Sequence, residues 1–365
     1  MRKMPIRAHI PTRALRSVAV SATLLCAVAS PASAADLTAP TSPAPAPSPA
    51  TPAPVAGRIK LVLQHVGGSP PFALLGQRIV VRGIVTPYVG GQTVKISFYR
   101  DGRKVRVERV SVLAGRSSIG GNGAGQFHVS YASRYAGLVE ARAAHYATAQ
   151  QGAFRARSQG VRFVYPDIGP GSAGQSVRLL ESELNVLHYA VPLSGVFDEG
   201  TGRALIAYRK MTGLARIPAA GRRVFDLLAR GAGSFHVRYR RDGRHVEANL
   251  TKQVLAEIEA GGRVRAIYTM SSGKPSTPTV VGRFQVYLKA PGYNSEGMFD
   301  SNYFIRGYAI HGYAEVPAYA ASHGCLRVPI PDAPAIYAWV RTGTPVDVYD
   351  DYGGGSSRVS PNAGP

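Results

Sequence analysis

The spacing of apolar residues changes twice along the chain, and this constrains the fold more than any other feature. From residue 58 to 165 the runs are short and rich in β-branched and aromatic residues, as in Ile79-Val80-Val81-Arg82-Gly83-Ile84-Val85 and Thr93-Val94-Lys95-Ile96-Ser97-Phe98-Tyr99. Such runs predict strands, and Asp101-Gly102 after the second is a tight-turn signal. Further strands are expected over 126–131, 137–145 and 160–165, with Gly-rich turns such as Gly120-Gly121-Asn122-Gly123 between them.

Over 170–232 the period becomes 3.6. Val177, Leu180, Leu184 and Leu187 form one apolar stripe, Leu205, Tyr208 and Met211 a second, and Val224, Leu227 and Leu228 a third, which predicts three short helices. Asp198 and Thr201 stand where the second should start and Gly213 where it should close. Strands return from 234 to 350. Phe235 to Arg240 and Arg244 to Leu250 read as a hairpin about Asp242-Gly243, and Val254 to Glu259 and Arg263 to Met270 as another about Gly261-Gly262. A helix over Ala333 to Arg341 and a closing strand over Pro345 to Tyr349 complete the pattern. The expected fold class is therefore multidomain: an N-terminal all-β, immunoglobulin-like sandwich, a small three-helix module, and a C-terminal β-rich domain.

The ends are simpler. Arg2, Lys3, Arg7, Arg13 and Arg16 precede an apolar run from Ser17 to Ser30, followed by Ala32-Ser33-Ala34. Basic, apolar and small-residue segments in that order predict a secretory signal peptide over 1–34, the apolar run being too short to span a bilayer. Residues 35–57 are mostly Ala, Pro, Ser and Thr, a semi-rigid linker, and 353–365 form a Gly/Ser/Pro-rich tail expected to be disordered. No later segment has the roughly 18 continuous apolar residues of a transmembrane helix. The expected location is outside the cytoplasmic membrane, in the cell wall or periplasmic space. The formal charge of +22 drops to +17 without the five basic residues of the signal peptide. On an exported chain that excess points to an anionic envelope polymer rather than nucleic acid, the alternative being simply a well-solvated basic surface.

Of the two cysteines, Cys26 lies in the signal peptide, so Cys325 is left unpaired. A lone thiol in an oxidising compartment is either buried and inert or a working nucleophile. Its surroundings bear on that choice: Ile310-His311-Gly312, a loop, then Ser322-His323-Gly324-Cys325-Leu326-Arg327. A cysteine nucleophile needs an imidazole, a positive charge or oriented N–H groups to favour the thiolate. Two histidines and an arginine are at hand, and Gly324 lets backbone approach a substrate carbonyl closely. Zinc ligation by His311, His323 and Cys325 is chemically conceivable, but the usual Cys-x-x-Cys or His-Glu-x-x-His pairs are absent. No metal and no cofactor is expected.

The region from Phe235 to Tyr349 closely resembles the L,D-transpeptidase catalytic domain. Besides the His and Ser-His-Gly-Cys elements, Ser271-Ser272-Gly273-Lys274, Thr277-Pro278-Thr279, Gly282-Arg283-Phe284 and Gly343-Thr344-Pro345-Val346 carry the likeness; Val280 departs from a frequent second proline. The resemblance implies Cys325 as nucleophile, His311 as base and the Gly312 carbonyl as its orienting group. His323, Gly324 and Cys325 would frame the oxyanion site, with Ser322 and Arg327 supporting or binding substrate. Peptidoglycan stem peptides are the implied partners, 3→3 cross-linking through a cysteinyl thioester the implied reaction, and carbapenem-type β-lactams the implied inhibitors. The helical segment resembles the small peptidoglycan-binding module through Gly174, Val177, Leu180, Leu184, Leu187-His188-Tyr189, Gly195-Val196-Phe197, Thr201, Ala204 and Gly213-Leu214, with Tyr208-Arg209 in place of the usual Phe-Gln.

Two other functions stay open from sequence. Water as acceptor would make the same site an L,D-carboxypeptidase, and loss of activity would leave a non-catalytic wall-binding protein. Papain-like wall peptidases fit less well, since they place cysteine before histidine and here His311 comes first.

Overall fold

The computed structural model describes residues 53–115 and 123–352. The expected signal peptide, the linker up to residue 52, the Gly120-Gly121-Asn122 turn and the tail from 353 lie outside the described residues.

Ten strands come first: β1 (Arg58–Gln64), β2 (Phe72–Leu74), β3 (Ile79–Thr86), β4 (Thr93–Arg100), β5 (Arg103–Ser111), β6 (Leu113–Ala114), β7 (Gly125–Tyr131), β8 (Gly137–His145), β9 (Phe154–Arg157) and β10 (Val161–Val164). They make two sheets, ordered β1-β3-β7-β6 and β2-β10-β8-β4-β5, with β9 also on β8. Positive φ at both Asp101 (48°) and Gly102 (80°) lets β4 turn directly into β5. Alternation sends Val94, Ile96 and Phe98 inward to meet Val81, Val129 and Phe163. Phe98 of one sheet stacks on Tyr131 of the other with centroids 4.5 Å apart, so the sheets pack face to face.

Three helices follow, α1 (Gln175–Val186), α2 (Glu199–Met211) and α3 (Arg222–Leu228). The Asp198 carboxylate accepts from the Thr201 N–H at 2.8 Å and caps α2, while Gly213 just past its end has φ +69°. These helices do not enclose a core of their own. Val177, Leu180, Leu184, Leu205, Tyr208 and Phe225 share one cluster with Phe72 and Leu74 before them and with Val254, Ala256, Ile258 and Ile267 after them.

The last region holds β11 (His245–Asn249), β12 (Val254–Glu259), β13 (Arg263–Thr269), β14 (Gly282–Gln285), β15 (Leu288–Tyr293), β16 (Phe299–Ile305), β17 (Tyr308–Tyr313), β18 (Leu326–Pro329), a 3-10 turn (Ile330–Asp332), α4 (Ala333–Trp339) and β19 (Pro345–Tyr349). One sheet runs β13-β12-β11-β19-β14 and the other β15-β16-β17-β18. Between them lie Val246, Phe284, Phe304, Ile310, Leu326 and Val346, with Ile336 and Trp339 of α4 sealing one side. The β12–β13 hairpin turns on Gly261 and Gly262, both at positive φ.

One expectation is corrected. Phe235 to Arg240 is not a strand. The N–H groups of Arg238 and Tyr239 donate to the buried Glu247 carboxylate instead of to a ladder, and β11 takes β19, in parallel, as its second neighbour.

Candidate active site

The site stands on β17 and β18, parallel neighbours whose register sets Ile310 beside Leu326 and His311 beside Arg327. Side chains alternate across a sheet. Ile310, Leu326 and Val328 therefore enter the core, and His311 and Tyr313, with Cys325 and Arg327, point the other way. They line a cavity of about 330 Å³ together with Ser322, His323, Glu296 and Met298. Parallel pairing demands a crossover, here the non-helical loop 314–325 that ends on the nucleophile candidate.

That loop is held on a cradle of polar groups. The Ser272 carbonyl accepts the N–H groups of Ala321 and Ser322, both at 2.9 Å, and Ser271 exchanges a pair of backbone bonds with Arg327. The Thr279 hydroxyl accepts from the Gly273 N–H and donates to the Gly324 carbonyl, each at 2.8 Å. Ser322, fully buried, donates to the Cys325 carbonyl at 2.6 Å and accepts the Gly324 N–H at 3.0 Å. Its hydroxyl closes the turn on itself, so the Gly324 N–H is engaged there rather than facing the cavity. Gly324 has φ +121°, and a Cβ added there would sit 2.5 Å from the Tyr308 ring. Only glycine fits both the dihedral and the space.

His311 is buried, and its Nδ1 lies 2.9 Å from the Gly312 carbonyl oxygen. The Tyr313 ring stands edge-on to the imidazole at 5.6 Å and carries the Arg327 guanidinium 4.0 Å from its centroid. Burial lowers the imidazole pKa to about 4; the Gly312 hydrogen bond opposes this and the Arg327 charge adds to it. Burial also raises the thiol of the partly exposed Cys325, against the pull of the Ala309 N–H and Arg327, while Glu296 pushes it further up. At rest, then, thiol and imidazole are both neutral, and the local positive charge does not outweigh desolvation. His323 is exposed, with Nε2 3.2 Å from the Lys274 ammonium.

The structure thus brings His311, His323, Ser322, Cys325 and Arg327 around one cavity and sets Gly312 and Gly324 in the backbone beneath them. Tyr313, Lys274 and Thr279 also shape the site, and sequence reasoning gave them no role. Tyr313 was accessible to it, two residues after His311 and so on the same face. No group of three His, Cys, Asp or Glu side chains able to hold a metal occurs among the described residues.

Residues 243–348 match the family described as YkuD, the L,D-transpeptidase catalytic domain. Among solved structures, the chain is similar to an L,D-transpeptidase (residues 123–326) from Xylanimonas cellulosilytica, at 31% identity and TM-score 0.46, over 51% of this chain and 98% of that one. It is also similar to an L,D-transpeptidase from Stackebrandtia nassauensis, at 22% identity and TM-score 0.34, over 53% and 97%. A C442S mutant of the Enterococcus faecium L,D-transpeptidase matches at 26% identity and TM-score 0.27, over 29% and 50%. No curated protein matches the chain.

Proposed function

The chain belongs to the L,D-transpeptidases through the catalytic domain at residues 243–348, and from that premise we propose that it joins peptidoglycan stem peptides through a thioester on Cys325. The observation that carries this reading is the shared cavity: one strand register aims His311 and Cys325 into the same 330 Å³ space.

In the proposed reaction Cys325 Sγ attacks the carbonyl of the third stem residue as His311 Nε2 takes the thiol proton. Oxyanion stabilisation falls to the N–H groups of His323 and Cys325, because Ser322 already engages that of Gly324. The tetrahedral adduct collapses, the peptide bond breaks, and the terminal D-alanine leaves with the proton from His311. A side-chain amine of a second stem then attacks the thioester, His311 removing its proton; the new amide is a 3→3 cross-link and the sulfur leaves as the thiol. Arg327, over the Tyr313 ring, is suited to a substrate carboxylate. The same acylation chemistry makes carbapenem-type β-lactams the expected inhibitors of the proposed enzyme.

In this reading the two packed sheets form an immunoglobulin-like sandwich over 58–165, the helices a peptidoglycan-binding-like module over 170–232, and 234–350 the catalytic unit, in an exported protein cleaved near Ala34. Incubation with a tetrapeptide stem should add an acyl mass on Cys325, and a second stem should convert it to a 3→3 dimer seen by muropeptide analysis. An adduct that persists in Cys325→Ala would overturn the assignment, and free tripeptide as the sole product would make the enzyme a carboxypeptidase.

A further inference from the structure

Much of the chain's positive charge lies outside the catalytic domain. Residues 58–165 hold sixteen of the Lys and Arg side chains against three Asp and Glu. The sheet register gathers part of this excess on one outward face. Lys95, Ser97 and Tyr99 point away from the core that Val94, Ile96 and Phe98 enter. Lys95 stands beside Arg109 on β5 and Ala144 on β8, and Ala144 is opposite Arg155; on the next rung Ser97 is beside Arg142, which is opposite Arg157. Lys95, Lys104, Arg142, Arg155 and Arg157, with Tyr99 and Tyr146, line a concavity of about 530 Å³.

Like charges on facing rungs destabilise a sheet. Glu140 offsets only part of this, pairing with Arg142 at 3.3 Å and Arg157 at 3.0 Å; among the described residues no carboxylate pairs with Lys95, Lys104 or Arg155. The tyrosines hold the cations in place. Arg142 lies 4.0 Å over the Tyr99 ring, and Lys95 bonds the Tyr146 hydroxyl at 3.2 Å. Solubility needs dispersed charge, not repelling cations gathered around a hollow beside the exposed Tyr146 ring.

We propose that this face binds an anionic, phosphodiester-linked glycopolymer of the cell wall. Guanidinium forks and ammonium groups suit phosphate oxygens, and sugar rings lie well on tyrosine faces. Neighbouring strands lie about 4.8 Å apart and residues i, i+2 about 7 Å apart along a strand, so cationic side chains rooted on this grid suit a chain of phosphates rather than one ion. The proposal rests on the reading of the chain as an exported cell-wall enzyme, but not on which acceptor Cys325 serves.

The test uses the full chain, poly(glycerol phosphate) of defined length, and sacculi before and after hydrofluoric acid removes their phosphodiester polymers. Binding to the soluble polymer and to untreated sacculi is expected, weakening steeply with salt, with at least a tenfold loss in Lys95→Gln/Arg155→Gln and in Tyr146→Ala, and with cleavage of a soluble stem peptide unchanged in both. The two sites give separable readouts, since a failure of stem cleavage leaves polymer binding intact. Equal binding by wild type and both variants would overturn the proposal. So would equal retention by treated and untreated sacculi, or tighter binding to duplex DNA than to the glycerol polymer.

Discussion

The Nδ1 atom of His311 lies 2.9 Å from the carbonyl oxygen of Gly312, the next residue on the same strand. Nδ1–H donates, which fixes the tautomer and leaves Nε2 as the acceptor, so the imidazole is oriented by a neighbour in sequence rather than by a distant carboxylate, while burial sets its basicity.

Because burial lowers the His311 pKa to about 4, the base form is present at every higher pH and is lost only as pH falls through that value. The acid limb of kcat/KM for stem cleavage should therefore lie near pH 4. His311→Gln should cost on the order of 10²–10⁴-fold in rate. An acid limb near pH 6.5 would mean that the base is not this buried imidazole.

Cys325 should alkylate slowly at neutral pH, its iodoacetamide rate climbing only above the ordinary thiol value of 9.0. Two substitutions should move that profile in opposite directions. Arg327→Ala removes a charge that favours the thiolate and shifts the profile to higher pH; Glu296→Gln removes one that opposes it and shifts the profile lower.

Gly324→Ala should leave the chain folded but impair acylation of Cys325. Alanine at φ +121° with its Cβ 2.5 Å from the Tyr308 ring costs roughly 1–3 kcal/mol in backbone strain alone. The checks are a lowered melting temperature and a slower appearance of the acyl adduct by mass spectrometry.

Lys210 of α2 is buried and donates to the Gln253 carbonyl, the Thr269 hydroxyl and the Met270 carbonyl at 2.7–2.9 Å. Gln253 in turn bonds Ser272, whose carbonyl holds the catalytic loop. Lys210→Met leaves those acceptors unpaired and should destabilise the chain by about 1–3 kcal/mol while slowing stem cleavage.

Lys210 also predicts a slope in stability. Burial, helped by the Arg216 charge, lowers its pKa to about 7. The unfolded chain, with an ordinary lysine near 10.5, binds more protons between those values, so this residue makes stability rise from pH 7 towards 10.5. Urea unfolding at pH 7 and pH 9 measures the slope, which Lys210→Met should reduce.

Local sequence determined a good deal of this protein. A period-two run marked β4 and Asp101-Gly102 the turn after it, Gly261-Gly262 marked the β12–β13 hairpin, a 3.6 period marked three helices, and the residues around Cys325 carried the likeness to the L,D-transpeptidase catalytic domain. These are short-range properties, written within a few residues by turn chemistry and by which face of an element is apolar. The tertiary structure alone decided the rest. Phe235 to Arg240 has the composition of a strand, yet Glu247 takes its N–H groups and β19, about a hundred residues further on, takes the neighbouring place beside β11. It also decided that β17 and β18 pair in parallel, so that His311 and Cys325 open onto one cavity, and that the helices share a core with both neighbouring regions. The charge state of the site belongs with these. The sequence supplied in Arg327 a charge that favours a thiolate, but desolvation depends on what the whole chain packs around a group, and here it outweighs that charge.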